Sequence, residues 1–144
     1  MIISTLDSEW LMRCIRAVEG RHTTKFDEIQ MLKRKISLAC TVKPQDVPRD
    51  IVTMNSFVEL QRNDTVNKVN AFTIKLVYPE YENIKESKIS IFSALGAAIF
   101  SKKVGDEVVY MTWKNENHIK ITDVIFQPEA NGNYYVDKQD YGYF

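Results

Sequence analysis

"KISIFSALGAAIFSKKVGDEVVY", residues 88–110, decides how the larger part of the chain folds. Lys88 to Phe92 alternates as a short strand does, and Ala94 to Ser101 gathers small residues at helical spacing. Lys103 to Asp106 supplies a turn, in which Gly105 is expected to take a positive φ before the next strand. Ala94, Gly96, Ala97 and Ala98 would let the short helix lie close against a sheet.

On both sides of this stretch the apolar period is two. Ile51 to Met54, Ser56 to Arg62 and Val69 to Tyr78 read as strands before it, with RNDTVN as hairpin-turn chemistry. Asn55, between the first two, is expected to satisfy backbone groups locally. Glu107 to Trp113 and Ile119 to Gln127 read as strands after it, and YPEYENIKES reads as a polar loop. About five or six strands around one short helix predict a half-buried antiparallel sheet with helical cover, an α+β domain. The last residues, GNYYVDKQDYGYF, have no apolar periodicity and read as a tail.

Upstream the period is 3.6. Trp10, Leu11, Cys14, Ile15 and Val18 form one helical stripe between Leu6 and Glu19, with Asp7 as the expected cap, Leu6 and Leu11 as a staple, and Gly20 as the stop. Thr24-Lys25-Phe26-Asp27 matches a capping box, and the helix it opens runs to about Cys40, with Ile29, Leu32 and Ile36 at heptad-like spacing. The short connection between the two favours antiparallel packing, so a helical hairpin, a short coiled coil projecting about 22 Å, is expected. TVKPQDVPRD, residues 41–50, carries two prolines and reads as a linker. The expected division is therefore a helical hairpin over 1–43, a linker over 44–50 and a sheet domain over 51–144.

The 144 residues are 44% hydrophobic and 26% charged, a globular composition. Formal net charge is zero, which gives no support for a free-standing nucleic-acid binder. Residues 1–43 hold eight Lys/Arg and five Asp/Glu, net +3, and the remainder eleven and fourteen, net −3. No apolar run approaches the roughly 18 residues of a membrane span, and MIISTLDSEW lacks the marks of a signal peptide, so a cytoplasmic location is expected. Antiparallel pairing would hold Cys14 and Cys40 on the order of 14 Å apart, beyond the reach of a disulfide, and two reduced core-type thiols are expected. His22 and His118 have no cysteine or carboxylate neighbours at metal-ligand spacing. Neither a catalytic set nor a metal or cofactor site is indicated.

The 88–110 stretch resembles the carboxy-terminal domain of the GreA/GreB transcription elongation factor family, where an ISI-type strand leads into a small-residue helix and a KxVGDEV turn. DIVTMNS (50–56), LVYP (76–79), LGAA (95–98), VGD (104–106) and QPEANGNY (127–134) together resemble a branch of that family with a shortened helical hairpin. The resemblance implies an FKBP-like sheet domain and a monomer whose partner is bacterial RNA polymerase. The domain would grip the β′ rim helices at the mouth of the secondary channel, the hairpin would point inward, and the protein would compete with other Gre-type factors.

In full Gre factors the hairpin tip carries an acidic D-x-x-E pair that helps hold a magnesium ion for transcript cleavage. Here Gly20 to Lys25 has no carboxylate. Asp27 and Glu28 fall in the first turn of the second helix, where negative charge suits the macrodipole. A non-catalytic regulator is therefore expected. The basic tip, Arg21, His22 and Lys25, is expected either near the channel mouth, against nucleic acid or an acidic protein surface, or in solvent. Phe92, Ser93, Ala94, Leu95 and Gly96 align with the polymerase-contacting loop of the family, which usually shows an acidic residue and a proline where this chain has Phe92 and Ala94. Phe92 would be either an exposed anchor or a core residue at a strand end. Transcript-cleavage stimulation, peptidyl-prolyl isomerisation and a generic interaction module with a dimerising hairpin are the competing readings.

Overall fold

The computed structural model describes residues 1–19, 26–62 and 70–132. Its elements run β1 (Ile2–Ser4), α1 (Thr5–Val18), α2 (Phe26–Leu38), β2 (Cys40–Val42), β3 (Phe57–Arg62), β4 (Asn70–Val77), β5 (Lys88–Ser90), α3 (Ala94–Ile99), β6 (Glu107–Thr112) and β7 (Asn115–Phe126), with four short 3-10 turns. This is the α+β architecture expected, and no described helix is long and apolar enough to cross a membrane.

The five-stranded sheet has the order β5-β4-β3-β7-β6. β3 pairs antiparallel with β4 and β7, and β6 pairs antiparallel with β7. β5 corrects the expectation of an antiparallel sheet, because it runs parallel to β4, Lys75 opposite Lys88 and Val77 opposite Ser90. The connection between them contains two 3-10 turns, long enough to carry the chain back to the start of the edge before it pairs. Ile51 to Met54 is not a strand either: a single bridge joins Ile51 to Lys103. The backbone turns at Met54, and Asn55 takes φ 66° while its N–H donates to Leu76 O at 2.7 Å.

α1 begins one step earlier than its sequence suggests. Ser4, not Asp7, is the cap, and its Oγ accepts the Asp7 N–H at 3.0 Å. The cause is β1, which delivers the chain to the helix by pairing in parallel with β2. The staple assigned to Leu6 and Leu11 goes out of register with that cap, and Leu11 is wholly buried in the core. α2 ends at Leu38 because Cys40, Thr41 and Val42 belong to β2, which takes the first residues of the expected linker into a strand. Cys40 is consequently exposed rather than core-type, while Cys14 is half-buried, and both are free thiols.

Leu11, Ile15 and Leu32 are 0% exposed, a degree of burial that two paired helices cannot give each other. A third layer covers them. They share one packed cluster with Val58, Leu60, Ile119 and Ile121 of the sheet, so the described helices lie on the sheet's core instead of standing away from it. Each fully buried Leu or Ile contributes about 1.5–3 kcal/mol, which favours this layering over a free stalk. Polar ties fix it: Asp7 Oδ2 accepts the Met54 N–H at 3.2 Å, Ser101 Oγ donates to Ile2 O at 2.6 Å, and Lys35 Nζ donates to Ala97 O at 3.1 Å. Glu19 and Lys33 pair across α1 and α2 at 3.1 Å.

Candidate functional site

The corner between β5 and α3 is built by two serines. Ser90 Oγ accepts the Phe92 N–H at 3.0 Å, and Ser93 Oγ donates to Ser90 O at 2.6 Å while accepting the Gly96 N–H at 3.0 Å. Ser93 is thus both a turn lock and the cap of α3. Gly96 is required by close approach, since a Cβ there would stand 2.1 Å from Ser90 O. This confirms the packing role read from the small residues. Phe92 is 5% exposed, so the core alternative holds and the exposed anchor does not. Phe92 belongs to the packed core, and Ser93, Ala94 and Leu95 of the corner are half-buried.

The hairpin-tip candidates Arg21, His22 and Lys25 lie outside the described residues, as do Gly20 and Thr24, the RNDTVN turn after Arg62 and the tail from residue 133 onward. Asp27 and Glu28 occupy the first turn of α2, as read. With Met31 they border a groove of about 270 Å³ whose other walls are Ala94 and Ala98 of α3 and β6. Among the described residues no group of three His, Cys, Asp or Glu could hold a metal. His118 Nε2 lies 3.6 Å from Glu116 Oε1 on the exposed end of β7. Gly105 takes φ +96° with open space around it, so its backbone conformation is what demands glycine.

One polar cluster escaped the sequence reading. Glu129 is buried, and Thr53 Oγ1 donates to its Oε1 at 2.6 Å, with Ser56 Oγ 2.8 Å from the same hydroxyl. Burial pushes the Glu129 carboxyl up, against the Thr53 and backbone hydrogen bonds that pull it down. Beside it, Gln127 Nε2 donates to Pro48 O and Ile51 O, both at 2.7 Å. These bonds, with backbone bonds such as the Val52 N–H to Lys102 O at 2.8 Å, hold the irregular 48–56 segment in place of a regular ladder. QPEAN in the sequence was the available signal. Elsewhere, burial and then the nearby Glu80 raise the Cys14 thiol to about 11, leaving an unreactive thiol at neutral pH. Burial, and secondarily Lys102, lowers Lys35.

A sheet with a β5–α3 corner and a glycine turn before β6, carried with two N-terminal helices, defines a class that sequence comparison makes explicit. Residues 47–126 match the family "Transcription elongation factor, GreA/GreB, C-term", and the chain belongs to that family. It is 32% identical over 104 residues to the regulator of nucleoside diphosphate kinase of Escherichia coli strain K12, a match covering 72% of this chain and 74% of that protein. It is 27% identical over 112 residues to transcription elongation factor GreA of Syntrophus aciditrophicus, covering 78% and 68% respectively. Among solved structures, a prokaryotic transcription elongation factor GreA/GreB from Nitrosomonas europaea superposes with a TM-score of 0.74 at 27% identity, covering 88% of this chain and 99% of that one.

Proposed function

We propose that this protein is a non-catalytic regulator of transcription that docks on bacterial RNA polymerase at the secondary channel and competes there with Gre-type factors. Family membership over residues 47–126 is the observation that carries the reading. The corner of Ser93, Ala94 and Leu95 is the proposed contact with the β′ rim helices, rigidly held by the Ser90 and Ser93 hydrogen bonds. On this reading the hairpin of residues 1–43 and the FKBP-like sheet domain of 51–144 have separate tasks, joined through 44–50, and the tip faces the channel mouth.

The acidic residues nearest the tip support a role without catalysis. Asp27 and Glu28 sit in the first turn of α2, where the macrodipole already favours negative charge, and the strong catalytic arrangement would need carboxylates beyond it. Isomerase activity would need an open apolar cleft on the sheet. Val58, Leu60, Ile74, Leu76, Ile119 and Ile121 on that face are instead at most 3% exposed.

The test is competition between the full chain and a labelled Gre factor for core RNA polymerase, with transcript cleavage scored in the same reaction. Displacement without cleavage is expected. Retention of the Gre factor at tens of micromolar competitor would overturn the polymerase reading, and cleavage above background would return the chain to the cleavage-factor class.

A further inference from the structure

We propose that the open edge of β6 is a docking site for an extended, basic segment of a partner protein, which adds to the sheet as a further strand. This inference rests on the sheet edge and the groove beside it and does not depend on the polymerase reading.

Among the described residues, β6 is the last strand of the sheet on its side. A two-residue turn closes the β6–β7 hairpin between Thr112 and Asn115. In an antiparallel pair, residues alternate between exchanging both backbone hydrogen bonds and exchanging none. Counting back from the closing pair, Thr112, Tyr110 and Val108 bond to β7, and Met111, Val109 and Glu107 turn their N–H and C=O groups to the open edge.

Open edges are ordinarily protected by charges, proline, bulges or a covering element. β6 has apolar Val109 and Met111, 52% and 56% exposed, at two of its three outward positions and the exposed acid Glu107 at the third. The register shifts of the sheet lie between β3 and β7 and leave β6 regular. Beside the edge runs the 270 Å³ groove, whose α3 wall is Ala94 and Ala98, one helical turn apart. Their short side chains leave space where an added strand, about 4.8 Å from β6, would place its own side chains. Met31, 44% exposed, gives the far wall an apolar surface.

Asp27 and Glu28 at the rim decide the chemistry of the occupant. Main-chain pairing supplies affinity to any extended segment, and side chains give the specificity. On an added strand alternate side chains face the groove, where an apolar one against Ala94 and Ala98 and a Lys or Arg beside Asp27 and Glu28 would satisfy both the wall and the rim. A second copy of this chain would bring its own Asp27 and Glu28 to the contact and is disfavoured.

The experiment uses the full chain, a soluble nonapeptide in which pairs of valines alternate with pairs of lysines so that each face carries both, and its counterpart with glutamate in place of lysine. The lysine peptide should bind at least about tenfold more tightly, and hydrogen exchange should slow at the Val109 and Met111 amides. Val109→Pro removes an outward donor without touching the β7 ladder, and should abolish binding while leaving the urea midpoint within about 10%. The double change Asp27→Lys and Glu28→Lys, which leaves β6 intact, should reverse the peptide preference. Equal binding of the two peptides, binding unaffected by Val109→Pro, protection at other amides, or no binding at millimolar peptide would overturn the proposal. So would a dimer in sedimentation that Val109→Pro dissolves, which would assign the edge to a second copy.

Discussion

At Gly96 the distance between α3 and β5 is set by the absence of a single carbon. Gly96→Ala would drive a Cβ to 2.1 Å from a backbone oxygen that cannot rotate away, so α3 must shift off the sheet. We expect a loss of about 1–3 kcal/mol, read as a lower urea midpoint; an unchanged midpoint would show that the corner is pliable. Trp113 poses the opposite case. It is 92% exposed at φ 52° in the β6–β7 turn, a conformation suited to glycine. Trp113→Gly should therefore stabilise the fold by about 1 kcal/mol, raising the thermal midpoint by a few degrees. The small-residue run around Gly96 was readable because tight packing demands small side chains wherever it occurs. The burial of Phe92 was not, because a strand-end aromatic has the same local pattern whether it faces core or partner.

At the scale of elements, the QPEAN segment acts through Glu129. Its carboxyl is held above the usual range by burial, so the folded state binds its proton more firmly than the unfolded chain does. The associated stability is fully present below the ordinary glutamate range and is lost as pH rises through the folded value. Glu129→Gln keeps an acceptor for Thr53 and carries no charge. Its urea midpoint should exceed that of the wild type at pH 8, and the gap should narrow as pH falls towards 4; a gap constant with pH would contradict this account. Periodicity placed α1, α2, α3, β3, β4 and β6 to within a few residues because it is a local property. It could not show that Ser4 caps α1, which depends on β1 pairing with a strand some 38 residues away. Nor could it show the direction of β5, since a period of two is the same for parallel and antiparallel strands.

For the whole molecule, the decisive feature is one core under two helices and a sheet. Leu11→Ala removes a side chain that is 0% exposed and should cost about 2–5 kcal/mol. Helical circular dichroism and the sheet amides in hydrogen exchange should report the same unfolding midpoint in wild type and variant. Separate transitions would mean that the helices and sheet are independent units. The apolar stripes of α1 and α2 were legible, but their partner was not, because each stripe would serve equally for pairing with the other helix or for lying on a sheet. The groove between α2, α3 and β6 was likewise invisible in sequence, being made by three segments that meet only through this layering. The family resemblance was legible because its motifs, from DIVTMNS to QPEANG, mark turns, corners and clamps that the fold requires.

The most direct test of the functional account is equilibrium binding of the full chain to core RNA polymerase, wild type against Leu95→Glu. Leu95 is half-buried at the β5–α3 corner and packs partly against the core, so the change puts a charge on the proposed contact at some cost in packing. The account predicts that wild type binds and displaces a labelled Gre factor, and that Leu95→Glu weakens binding at least about tenfold at a temperature where both proteins are shown to be folded. Equal binding by the two proteins would contradict the proposed corner, and no binding by either would contradict docking on the polymerase itself.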